Sequence, residues 1–192
     1  MIRSFVTRFA AMLAVVAALS GLGSAPAAAQ ANNQYTGDQL VAAGTSFFTQ
    51  VSGNLAAVIE EAISRFGLPN GYILGQTAGG AFIGGVRIGE GTLITQNAGT
   101  VPVYWIGPSV GFDIGGDASQ TMMLVYNLPD INSIYNRFYG VSGTAYVVGG
   151  VGMTVLTNQN ITLVPIVSGV GARIGLSMGY LKFTPERTAN PF

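Results

Sequence analysis

From Tyr72 onward, short runs rich in Val, Ile, Thr and Tyr alternate with Gly, Asn and Pro turns, and that rhythm leaves few folds open. Runs near 72–76, 79–88, 91–95, 101–106, 109–115, 119–126, 143–149, 151–157, 160–167 and 170–183 read as strands. The segment 127–138 interrupts them. Asp130 can cap a short helix there, with Ile131, Ile134, Tyr135 and Phe138 on one face. Many successive strands after a single helix predict a meandering antiparallel sheet, which curls and closes to remove its edges. Double glycines at 79–80, 84–85, 115–116 and 149–150 suit the bends of a tight barrel. The expected fold is mainly β: a small soluble antiparallel β-barrel, with an N-terminal amphipathic helix and one short helix in a connection.

The helix is predicted over about 36–66. Thr36 and Gln39 have capping-box spacing. Leu40, Phe47, Phe48, Val51, Leu55, Val58, Ile59, Ala62, Ile63 and Phe66 then follow in helical phase. Gly44 and Ser52-Gly53 are points where it can bend or split, while Gly67 and Pro69 end it. Glu61 and Arg65 sit one turn apart on the wet face. Two acids and one base in the second half favour packing on the protein's own sheet over binding a membrane surface.

Residues 1–29 carry an export pattern: Arg3 and Arg8, an apolar stretch from Phe9 to Leu22, then Ala27-Ala28-Ala29 before Gln30. The expectation is a cleaved signal peptide at 1–29, one domain at 30–192 and a periplasmic product. With Arg3 and Arg8 removed, six cations face eight anions. Nucleic-acid binding needs a basic patch that this chain lacks. Only 8% of residues are charged, but 49% are hydrophobic, which argues for a folded chain despite 28 glycines. There is no Cys and no His, so disulfides, thiolate chemistry and the commonest general base are excluded.

Strand parity places Val86 with Ile88, Val110 with Phe112 and Ile114, and Ile174 with Leu176 on expected core faces. Arg87, Asp113 and Arg173 fall on the opposite faces. Each arginine is flanked there by glycines, within a G-x-R-I-G string at 85–89 and 171–175. Pairing of these arginines with Glu90, Asp113 or Asp117 is the structural reading; anchoring a ligand head group is the functional one. Ile161 to Val167 is apolar on both faces and needs cover on both, for which the helix is available.

S-x-x-K, H-E-x-x-H and a phosphate loop are absent, and without His no Ser-His-Asp triad can form. Asp113 and Asp117 are the close carboxylates of the sheet region. They allow a carboxylate-dependent hydrolase, but they lack the ligand density of a calcium loop. No cofactor and no metal site is expected. A membrane-spanning barrel fits poorly, because Pro185, Pro191 and the polar stretch 186–190 spoil a terminal membrane strand.

The block from Val103 to Asp130 (VYWIGPSVGFDIGGDASQTMMLVYNLPD), with AYVVGGVGMTVL at 145–156 and LVPIVSGVGARIGLSMGYLKFTP at 163–185, resembles the EipA family of exported envelope-integrity proteins of Gram-negative bacteria. The resemblance runs from about Gly37 to Phe192. It implies a soluble periplasmic β-barrel with a helix, needed under envelope stress, and it supplies no active site. Ala189 stands where that family favours Trp before the closing Asn-Pro-Phe. A second resemblance, carried by Trp105, Gly107-Pro108-Ser109, Gly111 and Gly115, is to SYLF lipid-binding domains, and it implies lipid contact.

The resulting expectation is a non-catalytic periplasmic protein that supports envelope integrity by binding or scaffolding. A lipid or lipophile binder and a carboxylate hydrolase are the alternatives. The candidate contact residues are Tyr104, Trp105, Arg87, Asp113 and Arg173, and the expected partner is an envelope component or lipid. Nucleic acid is not expected as a partner, nor is the chain expected to be an integral membrane protein.

Overall fold

A computed structural model describes residues 33–49, 53–80, 86–96, 98–108, 119–168 and 179–190. The expected leader at 1–29 lies outside them, as do Asp113, Asp117, Arg173 and the proposed core residues Val110, Phe112, Ile114, Ile174 and Leu176.

Two helices open the described chain, α1 (Gly37–Phe47) and α2 (Leu55–Phe66). Thr36 caps α1 reciprocally: its Oγ1 accepts from the Gln39 amide at 3.4 Å, and its own amide donates to Gln39 Oε1 at 2.9 Å. The predicted single helix is therefore split, with Phe48 in extended conformation closing α1. Both halves keep one apolar phase. Gly44 lets α1 come close to its neighbours; a Cβ there would lie 2.8 Å from Leu55 Cδ2 and 3.2 Å from Met122 Sδ. Glu61 and Arg65 form the expected ion pair at 2.6 Å.

The strands are β1 (Gly71–Gly80), β2 (Val86–Thr95), β3 (Gly99–Pro108), β4 (Ser119–Tyr126), β5 (Arg137–Gly140), β6 (Tyr146–Val148), β7 (Val151–Met153), β8 (Leu156–Asn158), β9 (Ile161–Ser168) and β10 (Tyr180–Thr184). Neighbours run β4-β1-β2-β3-β10-β5-β8-β9, and β9 pairs back with β4. The result is a closed eight-stranded antiparallel barrel. The β6–β7 hairpin extends from β9 beside this ring and turns at Gly149-Gly150, both at positive φ, as a tight primed turn requires.

Two apolar clusters hold the fold. Inside the barrel lie Ile73, Leu93, Val103, Trp105, Met123, Phe138, Leu163 and Phe183. Outside, α1 and α2 bring Leu40, Leu55, Val58, Ile59 and Ala62 onto Met122, Leu124, Tyr126, Val164 and Ile166. Strands β4 and β9 are thus dry on both faces, which explains the doubly apolar run at 161–167.

Several local readings change, among them the expected gap at 77–78, which β1 spans, and the run 151–157, which divides between β7 and β8. The expected break between 88 and 91 does not occur: β2 runs unbroken through Gly89 and Gly91. A Cβ at Gly91 would sit 2.5 Å from the Leu74 carbonyl oxygen, so this glycine serves the close approach of β2 to β1. The segment 127–138 holds the Asp130-capped helix only as one 3-10 turn at Ile131–Ile134, after which Phe138 belongs to β5. The face of β2 is also reversed. Arg87 is 6% exposed while Ile88 is 40% exposed, so the Arg87–Gly89–Gly91–Leu93 face turns inward. Parity fixes which residues share a face but not which face is inside. The inside here is the face with room for the Trp105 ring.

Candidate functional site

Neighbours along a strand face opposite sides, so Tyr104 and Trp105 part company in β3. Trp105 turns inward and is 2% exposed. Its ring centroid lies 5.8 Å from that of Phe183, which meets Phe138 edge-on at 5.7 Å. The indole Nε1–H donates to Thr77 Oγ1 at 3.2 Å, and the Thr77 and Thr121 hydroxyls lie 3.1 Å apart. The buried N–H is satisfied. Register explains the fit: Thr77, Gly89, Trp105 and Phe183 face one another in sequence across β1, β2, β3 and β10. A Cβ at Gly89 would overlap the indole, and one at Gly75 would stand 2.6 Å from it. Trp105 therefore fills the barrel at this level.

One residue along each strand, the same register builds an outward row. Gln76 faces Glu90, Glu90 faces Tyr104, and Tyr104 faces Thr184. This row floors a groove of about 300 Å³ on the outer wall, which also includes Ala78 and the exposed Ile88. The segment following β10 forms one side of it. Thr184 Oγ1 donates to the Glu186 carbonyl at 2.7 Å, and Lys182 Nζ donates to the Asn190 carbonyl at 3.4 Å. Between these ties, Arg187 pairs with Glu90 at 2.5 Å and its guanidinium lies 5.8 Å from the centre of the Tyr104 ring. The groove thus combines an apolar patch, an amide, a phenol and a balanced ion pair. That set suits a ligand with both an apolar and a polar part.

Of the sequence-predicted residues, Tyr104 lies in the groove. Trp105 lines it from β3 while its indole belongs to the core behind. Arg87 sits in the neighbouring wall, turned inward and engaged with a partner. Glu90, one of three carboxylates considered for the arginines, occupies the opposite face of β2 from Arg87 and pairs with Arg187, while Asp113 and Asp117 lie outside the described residues. Asp113 and Arg173 lie outside the described residues. Gln76, Thr184 and Arg187 were not expected. The signal that could have found them is register, since a row across four strands is invisible until the pairing is known.

Elsewhere, burial pushes the Tyr126 phenol's pKa up, and its hydroxyl finds no hydrogen-bond partner among the described residues. The Ser133 hydroxyl beside Asp130 holds that carboxyl below its ordinary range, helped by the Ser133 and Asn132 amides. Among the described residues, no group of three or more acidic side chains is placed to hold a metal ion, and no helix is long and apolar enough to cross a membrane.

Comparison with known proteins gives a consistent result. A crystal structure described as a beta-barrel-like, uncharacterized protein from Brucella abortus aligns with a TM-score of 0.79 at 54% sequence identity, covering 83% of this chain and 99% of that one. No curated protein matches. The family described as envelope integrity protein A matches residues 33–192, and the chain belongs to that family, EipA.

Proposed function

We propose that the protein works in the periplasm as a non-catalytic binding module that supports envelope integrity, and that it engages an envelope component through the groove over Gln76, Glu90, Tyr104 and Thr184. The observation that carries this reading is the contrast between the two faces of one wall. The inner face is filled by Trp105 and Phe183, while the outer face leaves an amphiphilic groove open. Mid-strand Gln76, Glu90 and Lys182 on the outer wall support a barrel that faces water rather than lipid chains. The absence of His and Cys from the chain supports binding over turnover. Export through a signal peptide at 1–29 belongs to the same reading.

A second reading, contact with a lipophile, is favoured by Ile88, which stands 40% exposed at the groove. Room for such a ligand lies outside the barrel, because the described interior is occupied by side chains.

The test is complementation of a deletion strain under detergent stress. Ile88→Ser combined with Tyr104→Ala should fold and fail to rescue growth. Asp113→Asn combined with Asp117→Asn should rescue. The opposite pattern in well-folded variants would replace this reading with carboxylate chemistry.

A further inference from the structure

A second pocket, of about 530 Å³, opens at the end of the barrel where β4 leaves and β8 turns into β9. Its lining carries five side-chain amides, those of Asn127, Asn136, Asn158, Gln159 and Asn160, and no charged residue. Pro129 and Ile161 supply an apolar border.

Two observations bear on what this pocket could take. The first is backbone conformation. Among the described residues, the non-glycine positions with left-handed backbone are Asn127 at φ 58° and Gln159 at φ 52°, and both line it. Glycine takes that conformation without penalty, and this chain uses 28 glycines. Gln159 sits in the two-residue turn between Asn158 and Ile161, where glycine would be cheapest, yet an amide is placed there. Asn adopts this conformation readily, so Gln159 is the residue that carries strain, and strained positions cluster at ligand clamps.

The second is the state of the amides. The Nδ2 groups of Asn127, Asn136 and Asn158 donate to the backbone carbonyls of Asn160 (3.2 Å), Ser133 (3.2 Å) and Arg137 (2.7 Å). Each amide is thereby anchored, while its Oδ1 accepts no hydrogen bond from a described residue. Asn127 and Asn136 are exposed, so these uncharged acceptors are open to solvent or to a ligand.

Such a lining selects by chemistry. A charged ligand would meet no opposite charge in the lining. An apolar ligand would leave the acceptors unpaired. A molecule rich in hydroxyl donors with one C–H face matches both the acceptors and the Pro129 and Ile161 border. We propose that this pocket binds a neutral saccharide, either free or as a unit of a longer chain. This site is separate from the groove and stands whether or not the groove reading holds.

The experiment follows backbone amide shifts of the protein on titration with N,N′-diacetylchitobiose, maltose and the corresponding hexamers, with glucuronate as a charged control. Shifts should concentrate in residues 127–136 and 158–161 and saturate at millimolar sugar. Gln159→Gly and Asn136→Ala should each weaken binding about fivefold, the scale of one lost hydrogen bond. Gln159→Gly should at the same time unfold no earlier on heating than the parent, because it relieves the φ 52° backbone. Tighter binding of a hexamer than its dimer identifies a polymer as the source, and equal binding identifies a free sugar. The proposal is overturned if no neutral sugar shifts those amides, if glucuronate binds as well as the neutral sugars, or if both variants bind like the parent.

Discussion

Strands β4 and β9 and strands β2 and β3 belong to one barrel, yet they live in different solvents. On the first wall both faces are dry: Met123 and Leu163 point inward, while Met122, Leu124, Val164 and Ile166 lie under the helices. On the second, Leu93, Val103 and Trp105 fill the inside, while Glu90, Ile88 and Tyr104 meet water. The barrel interior and the doubly covered wall together hold the fold. The second wall, although Ile106 is buried on it, keeps an outward surface at Ile88, Glu90 and Tyr104 that is available for recognition.

That contrast breaks first at the glycines beneath the indole. Gly89→Val should prevent native folding, because even a Cβ there overlaps the Trp105 ring, and circular dichroism with size exclusion checks it. Next come large truncations in the covered wall. Ile59→Ala, on the face of α2 that packs onto β4 and β9, should cost about 2–4 kcal/mol in denaturant unfolding, since Ile59 is fully buried. At the groove, Arg187→Ala should cost under about 1 kcal/mol, because the pair with Glu90 is largely exposed and screened by salt. A loss at Arg187 equal to that at Ile59 would erase the distinction between the walls.

The smallest expected effect concerns Tyr126. Burial raises its folded pKa above the ordinary value of 10, so above about pH 10 the unfolded chain releases a proton that the folded one retains. Stability should therefore fall as pH rises past 10. Tyr126→Phe should remove part of that fall and leave neutral-pH stability nearly unchanged, since the hydroxyl has no partner among the described residues. Urea titrations at pH 7 and pH 10.5 would show it.

Much of the scaffold was legible in the sequence because its signals are local. The capping box at Thr36 and Gln39, the strand at 119–126 and the doubly apolar run at 161–167 each depend on residues close in the chain. What stayed hidden depends on contacts across strands. Gly89 looks like a turn until Trp105 is laid against it. Arg87 looks outward until the volume of that indole decides which face is inside. Tyr104 and Trp105 look like one aromatic pair until the pleat sends one to the groove and the other to the core. The groove itself needs four strands in register and Arg187 from beyond the last one, and no local pattern carries that information. The amide pocket left a faint trace in Asn158-Gln159-Asn160, which reads as an ordinary turn until Asn127 and Asn136 are brought beside it.

Trp105 is the only tryptophan, so its fluorescence reports directly on whether the barrel interior is filled. Acrylamide quenching of the folded protein, compared with the same protein in denaturant, tests the central claim that this wall is packed inside and open only outside. The account predicts blue emission with weak quenching that becomes strong only on unfolding. Strong quenching of the native protein would contradict it, and would place a solvent-filled cavity where Trp105 and Phe183 are said to meet.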